Sequence, residues 1–154
     1  MEIDSKNWQI LEVLQADART SLTALARQVG LSVPSTSERV KRLEEAGVLA
    51  GYRAVVPPRK VGYGVMALVG ITTPQPDKAR LLKLLEGKSE VLECLHVTGQ
   101  DSYVLKVITH DIGHLEAFVS SINHLGETRT SIVMSESIPA RAVAAPRAQE
   151  QTGR

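Results

Sequence analysis

Two short stretches of this 154-residue chain carry polar residues in an order suited to chemistry on a bound partner. The first runs from Ser32 to Glu45. Projected at about 100° per residue, Thr36, Val40 and Leu43 share one side of a helix, while Pro34, Ser35, Glu38, Lys41, Arg42 and Glu45 share the other. A helix that reads double-stranded DNA sets short polar groups at its N-terminus against base edges and later cations against phosphates, and this is that order. Ser35 can bond several bases and Glu38 can accept from cytosine N4, with Ser32 and Pro34 opening the helix beside them. Lys41 and Arg42 come where backbone contacts are expected. Arg39 lies on the flank, placed equally for a phosphate or for a carboxylate inside the lobe. A solvated amphipathic face would look alike; the distinguishing feature is the position, third in a series of helices and just after Gly30-Leu31-Ser32.

The second stretch is Thr98-Gly99-Gln100-Asp101-Ser102-Tyr103. Gly99 lets backbone amides approach a ligand, and Asp101 can accept from an ammonium group. The hydroxyls of Thr130 and Ser131, in Thr128-Arg129-Thr130-Ser131, can reach the same ligand. A tight turn alone also accounts for Gly99 and Asp101, and threonine is a good strand residue in any case. His96, His110, His114 and His124 show no partner at metal-ligand spacing, so capping and surface roles are expected for them. Cys94 stands alone, and no phosphate loop, nucleophile elbow or dinucleotide fingerprint occurs. No metal, no cofactor and no catalytic residue is expected.

These stretches need a scaffold. Asp4 caps a first helix running to Gln15, Thr20 or Ser21 caps a second through Leu22, Leu25, Ala26 and Val29, and Gly30 ends it. Ser32 caps the third, with Pro34 in its first turn and Gly47 as its stop. Three such helices form a helix-turn-helix, and the β-rich run Val48–Val56 predicts a strand or wing, a winged-helix-like arrangement. Pro57-Pro58-Arg59-Lys60 predicts a stiff extended linker, with Gly62-Tyr63-Gly64 as a flexible join. Strands are then predicted at Val65–Thr73, Val91–Thr98, Ser102–Thr109 and Thr128–Ile138, and helices at Asp77–Leu85 and Ile112–Leu125. This is an α+β chain whose second part is a ferredoxin-like βαββαβ sheet with both helices on one face. The expected domains are 1–56, a linker at 57–64, 65–140, and a frayed tail at 141–154.

Composition narrows the classes. Aromatic residues make up 3% of the chain, too few for the stacking platforms of single-strand binders. Residues 1–60 hold nine Lys+Arg against seven Asp+Glu, residues 61–140 six against nine, and residues 141–154 three against one, so the segments carry +2, −3 and +2. The front lobe is the better partner for a polyanion. The longest apolar run, Val65–Ile71, is far too short to span a membrane, and the start lacks the pattern of a signal peptide, so a cytoplasmic location is expected. An open apolar sheet face on the second lobe predicts at least a dimer.

The ordered series Asp4-Ser5-Lys6-Asn7-Trp8-Gln9-Ile10-Leu11, Leu14–Ser21, Leu25-Ala26, Val29–Ser32, Arg39–Leu49, Gly51-Tyr52, Val97-Thr98-Gly99 and Thr128–Ser131 closely resembles the Lrp/AsnC family, the feast/famine regulators. The resemblance covers residues 3 to about 138. It implies an N-terminal helix-turn-helix and a C-terminal ligand-sensing RAM domain. It also implies dimers joined through their sheets, often four in an octameric ring, and amino-acid effectors held between dimers near the turn after the second strand. Thr98, Gly99, Asp101, Ser102, Tyr103, Thr130 and Ser131 are the effector candidates, and Ser32, Pro34, Ser35, Glu38, Arg39, Lys41 and Arg42 the DNA candidates. Against the family pattern, Asn7 stands for a usual Asp, Ala18 for Gly, Thr36 for an apolar residue and Pro34 for Ser or Thr. The acid of the turn, Asp101, comes one residue early. The expected function is therefore a non-enzymatic DNA-binding regulator tuned by an amino acid. Sirohaem decarboxylases resemble the same family in both lobes and supply an enzymatic alternative, and an architectural DNA-binding protein without effector is another.

Overall fold

Local capping chemistry builds the first three helices. In the computed structural model, which describes residues 3–146, Asp4 accepts from the Asn7 amide at 2.7 Å and starts α1 (Ser5–Ala16). Ser21 caps α2 (Leu22–Val29), and Gly30, at φ +67°, takes the left-handed conformation that closes it. Ser32 caps α3 (Val33–Glu45), with Pro34 in the first turn where its missing N–H has no role. Ile10, Leu11, Leu14, Leu25, Val29 and Leu43 are buried together at the centre of these helices. At about 1.5–3 kcal/mol for each large side chain removed from water, they hold three elements too short to persist alone. The Lys6 ammonium donates to the Val29 carbonyl, placing a cation on the C-terminal carbonyls of α2.

The described residues divide into two compact units, one made of residues 3–54 together with 138–146, the other Val55–Ser137. In the first unit, residues 138–146 form no helix or strand, but the Gln15 side-chain amide donates to the Val143 carbonyl at 3.0 Å and accepts from its N–H at 2.8 Å. The rest of the segment expected to fray, residues 147–154, lies outside the described residues. The wing predicted at Val48–Val56 does not form: no strand pairs with it among the described residues, and Val55 is 91% exposed. Strand-forming residues need a partner ladder, and none is present here.

The second unit is a four-stranded sheet in the order β2-β3-β1-β4, every neighbouring pair antiparallel, formed by β1 (Val65–Thr72), β2 (Val91–His96), β3 (Tyr103–Thr109) and β4 (Glu127–Ile132). Helices α4 (Lys78–Glu86) and α5 (Ile112–Ile122) supply Leu81, Leu85, Leu115, Phe118 and Ile122 to a core with Ala67, Val69, Ile71, Leu105 and Val107. This is the expected βαββαβ arrangement, helices on one face only. The last strand ends at Ile132, six residues before its predicted end at Ile138. Ile132 already faces Ala67, so β1 has two residues left to pair, and Val133 donating to Met66 at 2.9 Å is the final bond. The proline segment also differs from expectation. Pro58–Val61 is a single 3-10 turn closed by Gly62 at φ +99°, since prolines in a first turn lack only N–H groups that the turn leaves free. Gly64 is a close-approach position rather than a flexible join: a Cβ there would lie 2.7 Å from the His110 carbonyl oxygen. No helix among the described residues is long and apolar enough to cross a membrane.

Candidate functional site

The outer face of α3 is the first candidate. Its inner side is locked, with Thr36 and Leu43 wholly buried and the Thr36 hydroxyl donating to the Ser32 carbonyl at 2.9 Å. That bond satisfies the hydroxyl, so a threonine can stand at a wholly buried position. Ser32 is spent partly on capping, its Oγ accepting from the Ser35 amide at 3.3 Å, while Pro34 and Glu38 are exposed and Ser35 is half-buried at the start of the helix. Lys41 and Arg42 are exposed and make only same-helix pairs, Lys41 with Glu45 at 3.7 Å and Arg42 with Glu38 at 2.9 Å. Exposed pairs of this spacing are worth about 0.3–0.5 kcal/mol, so a phosphate can replace either carboxylate at small cost.

Arg39 behaves differently. Its Nη1 donates to Asp4 Oδ2 at 2.7 Å and to Asn7 Oδ1 at 3.0 Å, tying α3 to the start of α1. Of the two roles open to it, the carboxylate bridge is the one occupied. The Arg39 bond, followed by the Asn7 amide, holds the Asp4 carboxyl below its usual pKa. Asn7 fits this arrangement because it is 7% exposed and its amide oxygen needs a donor. Beside α3, Leu14, Leu22, Leu25 and Val40 line an open groove of about 380 Å³ edged by Lys41 and Tyr52. Tyr52 donates to Glu44 Oε1 at 2.8 Å, and burial together with that carboxylate pushes its phenol up to about 12.

The second candidate is the turn from Val97 to Ser102, closed by the Val97 amide donating to the Ser102 carbonyl at 3.1 Å. Gly99 sits at φ +113° with no heavy atom within 4 Å of where a Cβ would stand, so its exposed edge is open and its conformation is one that other residues rarely adopt. Asp101 is paired with Arg129, a residue sequence reasoning passed over. Arg129 Nη2 donates to Asp101 Oδ1 and, at 3.1 Å, to Thr72 Oγ1, while Nη1 lies 3.8 Å from Glu127. The Thr72 hydroxyl in turn donates to the Gln100 carbonyl at 2.9 Å. Gly70 pairs with Arg129 across the sheet, and a Cβ on it would fall 2.5 Å from Asp101 Oδ2.

The remaining candidates of this stretch do not converge. Ser102 serves the scaffold, accepting from the Thr73 amide at 3.1 Å and donating to its carbonyl at 3.4 Å. Tyr103 is 6% exposed, in the core and against the His96 ring at 5.1 Å. Thr130 lies opposite Val69 and Ser131 opposite Leu68, so the two project from opposite faces of the sheet, Thr130 on the helix side and Ser131 on the open side. Within one chain the pleat therefore points their side chains away from each other. Thr98 is exposed beside Gly99.

The histidines also have partners that sequence spacing concealed. His114 Nε2 lies 3.1 Å from Glu90 Oε1, 24 residues away, and His110 stacks between Tyr63, at 4.9 Å, and His114, at 5.3 Å. The Glu90 backbone amide, then the His114 ring, hold the Glu90 carboxyl below its usual value despite partial burial. Among the described residues no His, Cys and acidic group is arranged to hold a metal ion.

Residues 3–44 match the AsnC-type helix-turn-helix domain, and residues 66–143 match the Lrp/AsnC ligand binding domain. Regulatory protein AsnC of Haemophilus influenzae is 34% identical over 141 residues, which cover 88% of this chain and 94% of that protein. Among solved structures, Bacillus subtilis LrpC superposes with a TM-score of 0.87 at 29% identity, covering 92% of this chain and all of LrpC (100%). A feast or famine regulatory protein from Mycobacterium tuberculosis, complexed with L-methionine, superposes with a TM-score of 0.86 at 33% identity, covering 94% of this chain and 100% of that one.

Proposed function

The chain belongs to the Lrp/AsnC family of transcriptional regulators, and we propose that it binds specific double-stranded DNA sites as a homodimer or a larger assembly such as an octamer, with an amino acid as effector. The observation that carries the DNA reading is the division of labour on α3. Arg39, Thr36 and Leu43 fix the helix in its unit, and Pro34, Ser35, Glu38, Lys41 and Arg42 remain on the outer side. Base edges fall to Ser35 and Glu38, phosphates to Lys41 and Arg42.

Dimerisation is supported by the sheet face away from α4 and α5. Leu68 and Leu95 are 43% and 49% exposed there, on an unpartnered surface that a second copy would cover by a two-fold contact. The effector reading is supported by Asp101 beside the open Gly99 edge and by the L-methionine bound in the M. tuberculosis relative. Two copies also offer a resolution of the Thr130 and Ser131 geometry, since residues on opposite faces can serve different neighbours.

Fluorescence anisotropy on operator-length DNA, with and without each proteinogenic amino acid, tests the whole reading. Affinity should differ between specific and scrambled DNA by about a thousandfold or more, fall steeply with salt, and change with at least one amino acid by about 1–3 kcal/mol of coupling. Even coverage of any sequence, unaffected by amino acids, would replace it with an architectural role.

A further inference from the structure

Asp101 is the acceptor that an effector's ammonium group would use, and it is already taken. We propose that Arg129 is a tethered stand-in for that ammonium. An α-amino acid inserts into the Arg129–Asp101 pair, its ammonium going to the carboxylate and its own carboxylate to the released guanidinium. The proposal rests on the effector reading above and assigns the residue that selects the ligand class.

Three features of the site lead to it. The pair joins two elements, edge strand β4 and the β2–β3 turn, and in the single chain its side-chain exposures are 36% for Arg129 and 23% for Asp101. It also occupies a space made for a charged group. Gly70 opposes Arg129 in the sheet, and any side chain there would collide with the Asp101 carboxylate. Finally, the local charge favours an incoming cation, since Asp101 and Glu127 surround one guanidinium.

Insertion of a zwitterion leaves every charge paired. Asp101 exchanges a guanidinium for an ammonium, and Arg129, a planar fork suited to carboxylates, exchanges Asp101 for the ligand. An amine without a carboxylate must separate the pair and leaves the guanidinium the neutral Thr72 hydroxyl and the weaker, more exposed Glu127. A carboxylate without an ammonium leaves Asp101 unpaired. Partly desolvated charges without partners are costly, so Arg129 rejects both classes and the site takes free α-amino acids.

Calorimetry on the full chain tests this with L-methionine, L-methioninol (ammonium, no carboxylate) and desamino-methionine (carboxylate, no ammonium). The wild type should bind L-methionine at least about tenfold more tightly than either analogue. In Arg129→Leu the advantage over methioninol should collapse to about threefold or less, because methioninol no longer competes with a guanidinium. Arg129→Lys, which keeps the charge, should retain the order of the three ligands, and it guards against a folding defect in the first variant. If another amino acid binds more tightly, its amino alcohol and desamino acid take the same places. A wild-type preference that survives in Arg129→Leu would overturn the role of Arg129 and leave the effector reading standing. Amino-acid binding by Arg129→Leu and not by the wild type would also overturn that role, because the guanidinium would then block the site rather than hold the ligand's carboxylate. No binding of any proteinogenic amino acid by wild type or variant would remove the effector reading, and this proposal with it.

Discussion

Each unit of the molecule holds one arginine against one aspartate, and the two pairs differ in everything but composition. In the helical unit, Asp4 uses both oxygens: Oδ1 accepts from the Asn7 amide to start α1, and Oδ2 accepts from Arg39. Arg39 also satisfies the buried Asn7 side chain, so each partner is committed to the scaffold. In the sheet unit, Asp101 Oδ1 meets Arg129, while Oδ2 lies over a glycine with no side chain. The first pair is surrounded by groups it already serves, the Asn7 amide and side chain; the second is edged by an open turn and a missing Cβ. Identical chemistry thus fastens two helices in one place and, on the proposal above, yields to a ligand in the other, and the surroundings make the difference.

The largest difference between the pairs should appear when the space beside them is filled. Gly70→Val is expected to push the Asp101 carboxylate aside and weaken amino-acid binding by about a hundredfold, measured by calorimetry, while effector-free DNA binding persists. DNA affinity reduced to the same degree would mean that the damage is not local to the site.

On α3, Ser35→Ala and Glu38→Ala should each cost about 1–3 kcal/mol on the preferred DNA site and little on scrambled DNA. Lys41→Ala and Arg42→Ala should weaken all sequences alike and reduce the salt slope by about one unit for each phosphate no longer neutralised. Arg39→Ala should leave that slope unchanged and instead lower stability by about 1 kcal/mol, because Asn7 is left without its donor, an effect visible as a lower melting temperature. A salt slope that falls in Arg39→Ala would return this residue to the DNA-contacting set.

The smallest effect expected is on acid stability. Asp4 and Glu90, one in each unit, have folded pKa values below their ordinary 3.8 and 4.5. Their ionised forms favour the fold, so this contribution is complete above the ordinary values and fades as pH falls through the lowered ones. Arg39→Ala and His114→Ala should each make unfolding below about pH 4 less steep, as followed by circular dichroism in denaturant titrations. Unaltered acid profiles in both variants would show that neither partner sets the carboxylate.

The helices and the outer face of α3 were legible in the chain alone. Asp4, Ser21, Ser32 and Gly30 act within three or four residues of their own positions, and helical periodicity sorts Thr36, Val40 and Leu43 from Ser35, Glu38 and Lys41 without reference to the rest of the chain. The order of strands and helices in the second unit was legible too, because each apolar run and turn signal is local. Where β4 stops, and why Val48–Val56 stays unpaired, depends on long-range contacts, since a strand exists only where another strand meets it in register. The same holds for the site: Asp101 meets Arg129 across 28 residues and Glu90 meets His114 across 24, and the pleat sends Thr130 and Ser131 to opposite faces. The spacing of residues along a chain carries no information about such encounters, which depend on the sheet register that brings distant segments side by side.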